Sequence, residues 1–286
     1  MLPVPASDVP IRAESRLVLV PVTVTDRSGR SVIGLEQGHF ELFEENDQRE
    51  IASFSIDQQP FSVMVVFDLS GSMRFEIQKS LSALKAFFDL LEPADEVAMV
   101  TFAGAPVLRR DFSTDLDAAR QSLIHEEVGG GTALVDAIYM GLSKVHVAAN
   151  PRKALLVVSD GEDNQSRYTA QELGRYALEA DAQIYTIGVR KPPASAKEIF
   201  THRAALSLLE NLASQTGGLH FSVRNPNDLE GVMSKVGAAL RDQYMLGFIP
   251  AEARRDGKWR RIRVKVNPPQ EGPSVRVAAR PGYYDR

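Results

Sequence analysis

Asp68, Ser70 and Ser72 stand at alternate positions directly after an unbroken apolar run, Val63-Met64-Val65-Val66-Phe67. Their side chains offer one carboxylate and two hydroxyls. Such hard oxygen donors suit Mg²⁺, Mn²⁺ or Ca²⁺ and suit Zn²⁺ poorly. An apolar run without alternation reads as a strand buried on both faces, which is typical of a parallel sheet. In open α/β sheets, ligands collect beyond the carboxyl ends of such strands. The three residues therefore sit where a site is expected, and their chemistry is that of metal binding rather than nucleophilic attack.

Two further segments join them. Val128-Gly129-Gly130-Gly131-Thr132-Ala133-Leu134 is a glycine run that ends in a threonine and leads into a helix, and Leu155-Leu156-Val157-Val158-Ser159-Asp160-Gly161 is a second buried strand ending in aspartate and glycine. Parallel strands would bring both carboxylates to one edge of the sheet, and the glycines would let the backbone approach so that Thr132 reaches the same point. Asp68, Ser70, Ser72, Thr132 and Asp160 then offer five oxygens, leaving a sixth octahedral position for water or an outside group. Blander readings exist for each. Either aspartate could cap the helix that follows it. The glycine run could cradle phosphate, although it lacks the lysine of a P-loop. Glu162 and Asp163 read as solvated loop carboxylates, with electrostatic tuning of Asp160 as the alternative.

The elements that must position these residues follow from periodicity. Strand-like runs recur at Phe61–Phe67, Val97–Phe102, Ala154–Ser159, Ile184–Val189 and Leu219–Val223. Between them, Ile77, Leu81, Leu84, Phe87, Phe88 and Leu91 recur at helical spacing. Thr169 and Glu172 form a capping box before Leu173, Tyr176 and Ala177. A last helix follows Asp228, with Leu229, Val232, Met233, Val236 and Leu240 on one face. This alternation predicts an α/β fold: a doubly wound, mostly parallel sheet with helices on both faces. The ends of the chain read as β structure. Leu17–Thr25, Phe40–Glu44 and the region of Ile51, Phe54 and Ile56 are strand-like, as are Tyr244–Ile249, Arg261–Val266 and Val275–Ala279. Neither end alone supplies enough strands for a stable sheet, so the two are expected to pair into a small β-sandwich. The predicted organisation is an N-terminal extension (1–15), a β-rich flank (16–58), the α/β domain (59–243) and a β-rich C-terminal segment (244–286) paired with the first flank.

Composition bounds the rest. The chain has 286 residues, 44% hydrophobic and 24% charged, which is ordinary for a globular protein with a proper core. A net charge of −4 leaves no electrostatic footprint for nucleic acid. Without cysteine there can be no disulfide, thiol catalysis or thiolate metal site. No run reaches the roughly 18 apolar residues of a membrane span, and Met1-Leu2-Pro3-Val4-Pro5 lacks the basic start and apolar core of a signal peptide. His39, His125, His146, His202 and His220 show no metal-binding spacing and read as surface or satisfied core residues. Arg109-Arg110, Arg254-Arg255 and Arg260-Arg261 read as solvated faces, and Trp259 as sandwich core or edge packing.

Asp-x-Ser-x-Ser at 68–72, Gly-Gly-Thr at 130–132 and an apolar strand ending Ser-Asp-Gly at 159–161 occur in the order that resembles the von Willebrand factor A domain family. The flanks, from Thr25-Asp26 through Phe40-Glu41-Leu42-Phe43-Glu44 and at Arg280-Pro281-Gly282-Tyr283-Tyr284, are similar to a bacterial group of such proteins often found in Acidobacteria. The resemblance implies a metal-ion-dependent adhesion site at Asp68, Ser70, Ser72, Thr132 and Asp160. In that family the hydroxyls commonly bind the metal directly and the aspartates often act through water. It further implies a non-enzymatic binding module with Mg²⁺ as the preferred ion (Mn²⁺ or Ca²⁺ as alternatives), and a protein partner whose carboxylate completes the coordination. It also implies export, with the leader absent from this chain, and in related domains the last helix, here Asp228–Gln243, can shift on binding. Two rival readings stay open: a Mg²⁺-dependent phosphotransferase with Asp68 as nucleophile, and a structural module whose metal staples loops.

Overall fold

Phe61–Asp68 is buried at every position, as an unbroken apolar run must be when both its faces are covered. The computed structural model describes residues 17–57, 59–122, 128–190, 196–250, 256–269 and 274–285. The expected extension over 1–15, His125 and Arg254-Arg255 lie outside these, and so does the His202 side chain.

In chain order the first flank carries β1 (Val18–Asp26), β2 (Phe40–Glu44), β3 (Asp47–Arg49) and β4 (Ser53–Asp57). There follow β5 (Phe61–Asp68), α1 (Ile77–Phe88), β6 (Glu96–Phe102), β7 (Pro106–Ser113), α2 (Leu116–Gln121), α3 (Leu134–Val145) and β8 (Arg152–Ser159). Next come α4 (Ala170–Glu179), β9 (Gln183–Val189), α5 (Ala196–Thr216), β10 (His220–Val223) and α6 (Leu229–Arg241). The chain closes with β11 (Gln243–Phe248), β12 (Trp259–Val266), β13 (Val275–Ala279) and β14 (Gly282–Tyr284).

The central sheet runs β10-β9-β8-β5-β6-β7. All its pairings are parallel except β6 with β7. Alternation along β5 divides the core. Val63, Val65 and Phe67 pack with Leu84, Phe87 and Phe88 of α1 and Met233, Val236 and Leu240 of α6. Met64 and Val66 pack on the other face with Leu134, Ile138 and Leu142 of α3, Leu173 of α4 and Leu209 and Leu212 of α5. The doubly wound arrangement expected from the sequence is thus present. The base of β5 is pinned by Asp95, fully buried, which accepts from the Phe61 and Glu92 amides at 3.0 and 2.8 Å and from the Arg241 guanidinium of α6 at 2.6 Å.

Two elements depart from the sequence reading. β7, the antiparallel edge of the sheet, is not among the strands expected from the sequence, and of its Arg109-Arg110 pair Arg109 is exposed, in keeping with a solvated face. An edge strand pairs on one side only and carries charge without penalty. α5 spans 21 residues between β9 and β10, where no helical period is evident from the sequence.

The flanking strands form two four-stranded sheets, β13-β1-β11-β4 and β14-β12-β2-β3, each mixing strands from both ends of the chain. Val18, Val20, Val22 and Val24 of β1 share one core with Phe40, Leu42, Tyr244, Leu246, Phe248 and Ile262. In β2 burial alternates without a break, so at its end the residue types fall out of step with it: Glu44 is buried and Phe43 only half-buried. Glu44 is accommodated because Tyr283 Oη and Arg49 Nε donate to its carboxylate at 2.7 and 3.0 Å. Phe43 is covered instead by Arg263 and Lys265, 4.7 and 5.0 Å from its ring centroid. Trp259 packs edge-on against Tyr284 at 5.0 Å, as expected for sandwich packing.

Candidate metal site

The register of the central sheet decides how the motif is assembled. Phe67 of β5 lies opposite Val158 of β8, so Asp68 and Ser159 meet side by side at the carboxyl edge. Ser159 Oγ donates to Asp68 Oδ2 at 2.6 Å, and the Gly161 amide donates to Ser159 Oγ at 2.9 Å. Asp68 Oδ1 accepts from the Ser70 amide at 2.8 Å. Asp68, Ser70 and Asp160 are fully buried, Thr132 nearly so, and Ser72 is half-buried. Burial drives the Asp68 carboxyl up to about 6; hydrogen bonds from Ser159 and Ser70 oppose the rise and the negative charge of Asp160 adds to it. The groups acting on Asp68 are thus hydroxyls, an amide and a second carboxylate.

Ser70 Oγ and Ser72 Oγ are 2.9 Å apart. Neighbouring ligands of an octahedral ion with bonds of about 2.0–2.1 Å are separated by about 2.8–3.0 Å, so this hydroxyl pair has the spacing of one octahedral edge. Two buried carboxylates beside such an edge, all hard oxygen, fit a divalent cation. A cation would also offset the repulsion between the aspartates.

Thr132 is brought in by its backbone. The loop after β5 is tied to the glycine run, Gly71 amide to Gly130 carbonyl at 3.2 Å and Gly129 amide to Leu69 carbonyl at 3.0 Å. Gly130 makes this turn at φ +81°, which only glycine adopts readily. The Thr132 amide then donates to Asn164 Oδ1 at 2.9 Å, while the Asn164 and Gln165 amides donate to the Thr132 carbonyl at 2.9 and 3.0 Å. At Gly131 a methyl group would meet only the outer end of the exposed Gln165 side chain, which can swing aside. Asp160 accepts from the Glu162 amide at 3.2 Å. All five residues singled out in the sequence therefore belong to three loops hydrogen-bonded to one another at one sheet edge.

Several positioning residues escape the sequence reading. Ser159 orients Asp68; the sequence marks it as part of the strand-end Ser-Asp-Gly but gives it no role of its own. Asp163 is not merely solvated: its Oδ1 accepts from the Leu134 amide at 3.0 Å and from Ser166 Oγ at 2.6 Å, capping α3 from another loop. Asp136 on α3 reciprocates, accepting from the Arg167 and Tyr168 amides at 2.9 and 3.0 Å. Burial would raise its carboxyl, but these amides and the Arg167 side chain outweigh that and hold it below the usual range. Tyr168, Tyr139 and Tyr176 stack in nearly parallel planes, with centroids 4.2 and 4.3 Å apart, and fasten the loop to α3 and α4. Asp163→Ala removes the cap and should cost about 1 kcal/mol in urea-induced unfolding. A cost indistinguishable from zero would show that the Leu134 amide finds an equal partner in water.

Among the histidines, His39 accepts from the Glu36 amide at 2.9 Å and His220 Nδ1 bonds Thr186 Oγ1 at 2.8 Å, both in satisfied structural contacts. Among the described residues no cluster of three or more histidine, cysteine, aspartate or glutamate side chains is arranged to hold a metal. Nor is any helix long and apolar enough to cross a membrane.

The sequence profile of the von Willebrand factor type A domain matches residues 62–235. An uncharacterised protein of Borreliella burgdorferi is 24% identical over 190 residues, which cover 57% of this chain and 54% of that protein. The chain thus spans about half the length of the curated relative it matches. Among solved structures, the vWF domain of the type V pili tip protein Mfa5 from Porphyromonas gingivalis is similar with a TM-score of 0.52 at 13% identity, over 63% of this chain and 95% of that one. Proximal thread matrix protein 1 from the mussel byssus, in a structure with zinc occupying its MIDAS motif, gives a TM-score of 0.52 at 19% identity, over 69% of this chain and 49% of that one. At such identities these are likenesses of fold.

Proposed function

The chain belongs to the von Willebrand factor type A domain family, and from that premise we propose that it is a divalent-metal-dependent protein-binding module. The observation that carries this reading is the buried pairing of Asp68 with Asp160 beside the Ser70–Ser72 hydroxyl edge of 2.9 Å. Ser70, Ser72 and Thr132 supply neutral oxygens, and Asp68 and Asp160 supply the only protein charges, directly or through water. An ion so sparsely neutralised keeps its Lewis acidity, and a carboxylate from a partner protein supplies both the last ligand and the missing charge.

A binding role suits Asp68 better than nucleophilic catalysis. Both its oxygens accept hydrogen bonds and the side chain is fully buried, whereas an attacking carboxylate must reach its substrate. Mg²⁺ matches the octahedral spacing and Mn²⁺ follows it closely, while Ca²⁺ prefers more ligands. Zinc occupies the corresponding motif in the mussel protein, and it also binds most oxygen sites more tightly than Mn²⁺, so it is included among the ions to test. Action outside the cytoplasm is part of the proposal: Mfa5 is a pilus tip protein, and a chain without cysteine is indifferent to an oxidising compartment.

The test is Mn²⁺ titration followed by electron paramagnetic resonance on the full chain. One site per chain is expected, with Thr132→Ala weakening it at least about ten-fold, the scale at which site-supporting groups act. Unchanged affinity in Thr132→Ala, or no bound Mn²⁺ at millimolar concentration, would sink the assignment.

A further inference from the structure

Three hydrogen bonds converge on the main chain of Thr132, and all three come from two consecutive residues of another loop. The Thr132 amide donates to Asn164 Oδ1 at 2.9 Å, and the Asn164 and Gln165 amides donate to the Thr132 carbonyl at 2.9 and 3.0 Å. Asn164 thus grips both main-chain polar groups of Thr132, which a short side chain carrying an amide oxygen beside its own N–H can do. Thr132 itself is only 2% exposed, yet among the described residues its hydroxyl makes no hydrogen bond. Nearly buried hydroxyls normally find a partner, so this oxygen is left available to a ligand.

The gripping loop is itself fastened. Asp163 Oδ1 accepts from the Leu134 amide at 3.0 Å, Ser166 Oγ from the Asp136 amide at 3.1 Å, and Asp136 from the Arg167 and Tyr168 amides at 2.9 and 3.0 Å. Residues 163–168 and the first turn of α3 therefore form one bonded block with Thr132 at its start, and Asp160 enters that block four residues ahead of Asn164. The Ser70–Ser72 turn meets the glycine run differently, through Gly71 to Gly130 at 3.2 Å and Gly129 to Leu69 at 3.0 Å, and no donor residue makes either bond. Thr132 is thus the donor whose main chain is held at both its polar groups by a neighbouring loop. Such a ligand cannot retreat by the few tenths of an ångström that separate Mg²⁺–oxygen bonds of about 2.0–2.1 Å from Ca²⁺–oxygen bonds of about 2.3–2.6 Å.

We propose that Asn164 is the positioning residue that sets ion selectivity, holding Thr132 where a small octahedral ion is favoured over Ca²⁺. The assignment rests on the metal reading above. It is tested on the full chain by displacing bound Mn²⁺ with Mg²⁺ and with Ca²⁺ while the electron paramagnetic resonance signal of free Mn²⁺ is followed. Asn164→Ala should weaken Mg²⁺ about ten-fold, the scale at which groups behind a ligand act. Ca²⁺, which tolerates a looser cage, should weaken no more than about two-fold, so the preference for Mg²⁺ falls about five-fold. Asn164→Asp keeps the accepting oxygen, and its added charge acts on both ions alike, so the wild-type preference should return. In EDTA, deuterium exchange at the Thr132 amide should be faster in Asn164→Ala than in wild type, while β5 amides, protected in both, report an intact fold. A preference unchanged in Asn164→Ala, one that Asn164→Asp fails to restore, or unchanged exchange at Thr132 overturns the role of Asn164 and leaves the metal reading standing. If wild type binds no Mn²⁺, both fall together.

Discussion

Asp68→Asn should abolish the stabilisation that Mg²⁺ gives the wild-type chain. An ion present at 100 times its dissociation constant stabilises the folded state by about 2.7 kcal/mol, which for a chain of this size raises the unfolding midpoint by roughly 5–10 °C. Asparagine keeps the shape of the side chain. Its oxygen can still accept from the Ser70 amide, and its amide can take part in the contact with Ser159 Oγ. The loss is one negative charge where the cation would sit. Without metal the sign should reverse: a buried carboxylate beside Asp160 is unfavourable when no cation compensates it, so in EDTA the variant should melt no lower than wild type. Asp68→Ala should also lose the Mg²⁺ shift but melt lower in EDTA, because the Ser159 hydroxyl and the Ser70 amide are left without their acceptor. Thermal scans of the three proteins in EDTA, Mg²⁺, Mn²⁺, Ca²⁺ and Zn²⁺ read all of this at once. A Mg²⁺ shift that survives in Asp68→Asn would place the ion elsewhere.

The residues proposed as oxygen donors were legible in the sequence because each stands at a boundary that periodicity marks. Asp68 and Asp160 end unbroken apolar strands, and Thr132 ends a glycine run before a helix. The Thr169–Glu172 capping box was legible for the same reason, its signal being confined to four consecutive residues; in the fold each side chain bonds the other's amide. What was hidden depends on contacts far apart in sequence. Asp163 caps a helix that begins 29 residues earlier, and no local pattern announces a cap supplied from another loop. Ser159 matters only because β8 lies beside β5 in a register that places it against Asp68. Glu44 reads as the solvent side of an alternating strand, and its burial is explained by Arg49 on the next strand together with the distant Tyr283. β7 is paired along one edge, so its composition is set by solvent as much as by the sheet.

Deleting residues 1–58 should leave β11–β14 unprotected, because the two ends of the chain complete each other's sheets. β1 lies between β11 and β13, with Val22 opposite both Tyr244 and Ala279. β12 is flanked by β2 and β14. Without the first flank, β11 loses both its neighbours and β12 retains only the three-residue β14. Among the described residues, the deletion removes eight of the thirteen buried apolar side chains in the shared core. An isolated short hairpin is marginal in water, so trypsin should cut readily at Arg260, Arg261 and Arg263 in the deleted protein and slowly in the intact one. Val22→Asp in the full chain should act in the same direction, by burying an unpaired charge between two strands at a cost of several kcal/mol. We propose accordingly that residues 16–58 and 244–286 fold as one unit beside the α/β body at 59–243. Protection of the tail at its intact level after the deletion would mean that the body alone orders β11–β14. The α6–β11 junction is where such support would act, since a single residue, Asp242, separates the helix from the strand.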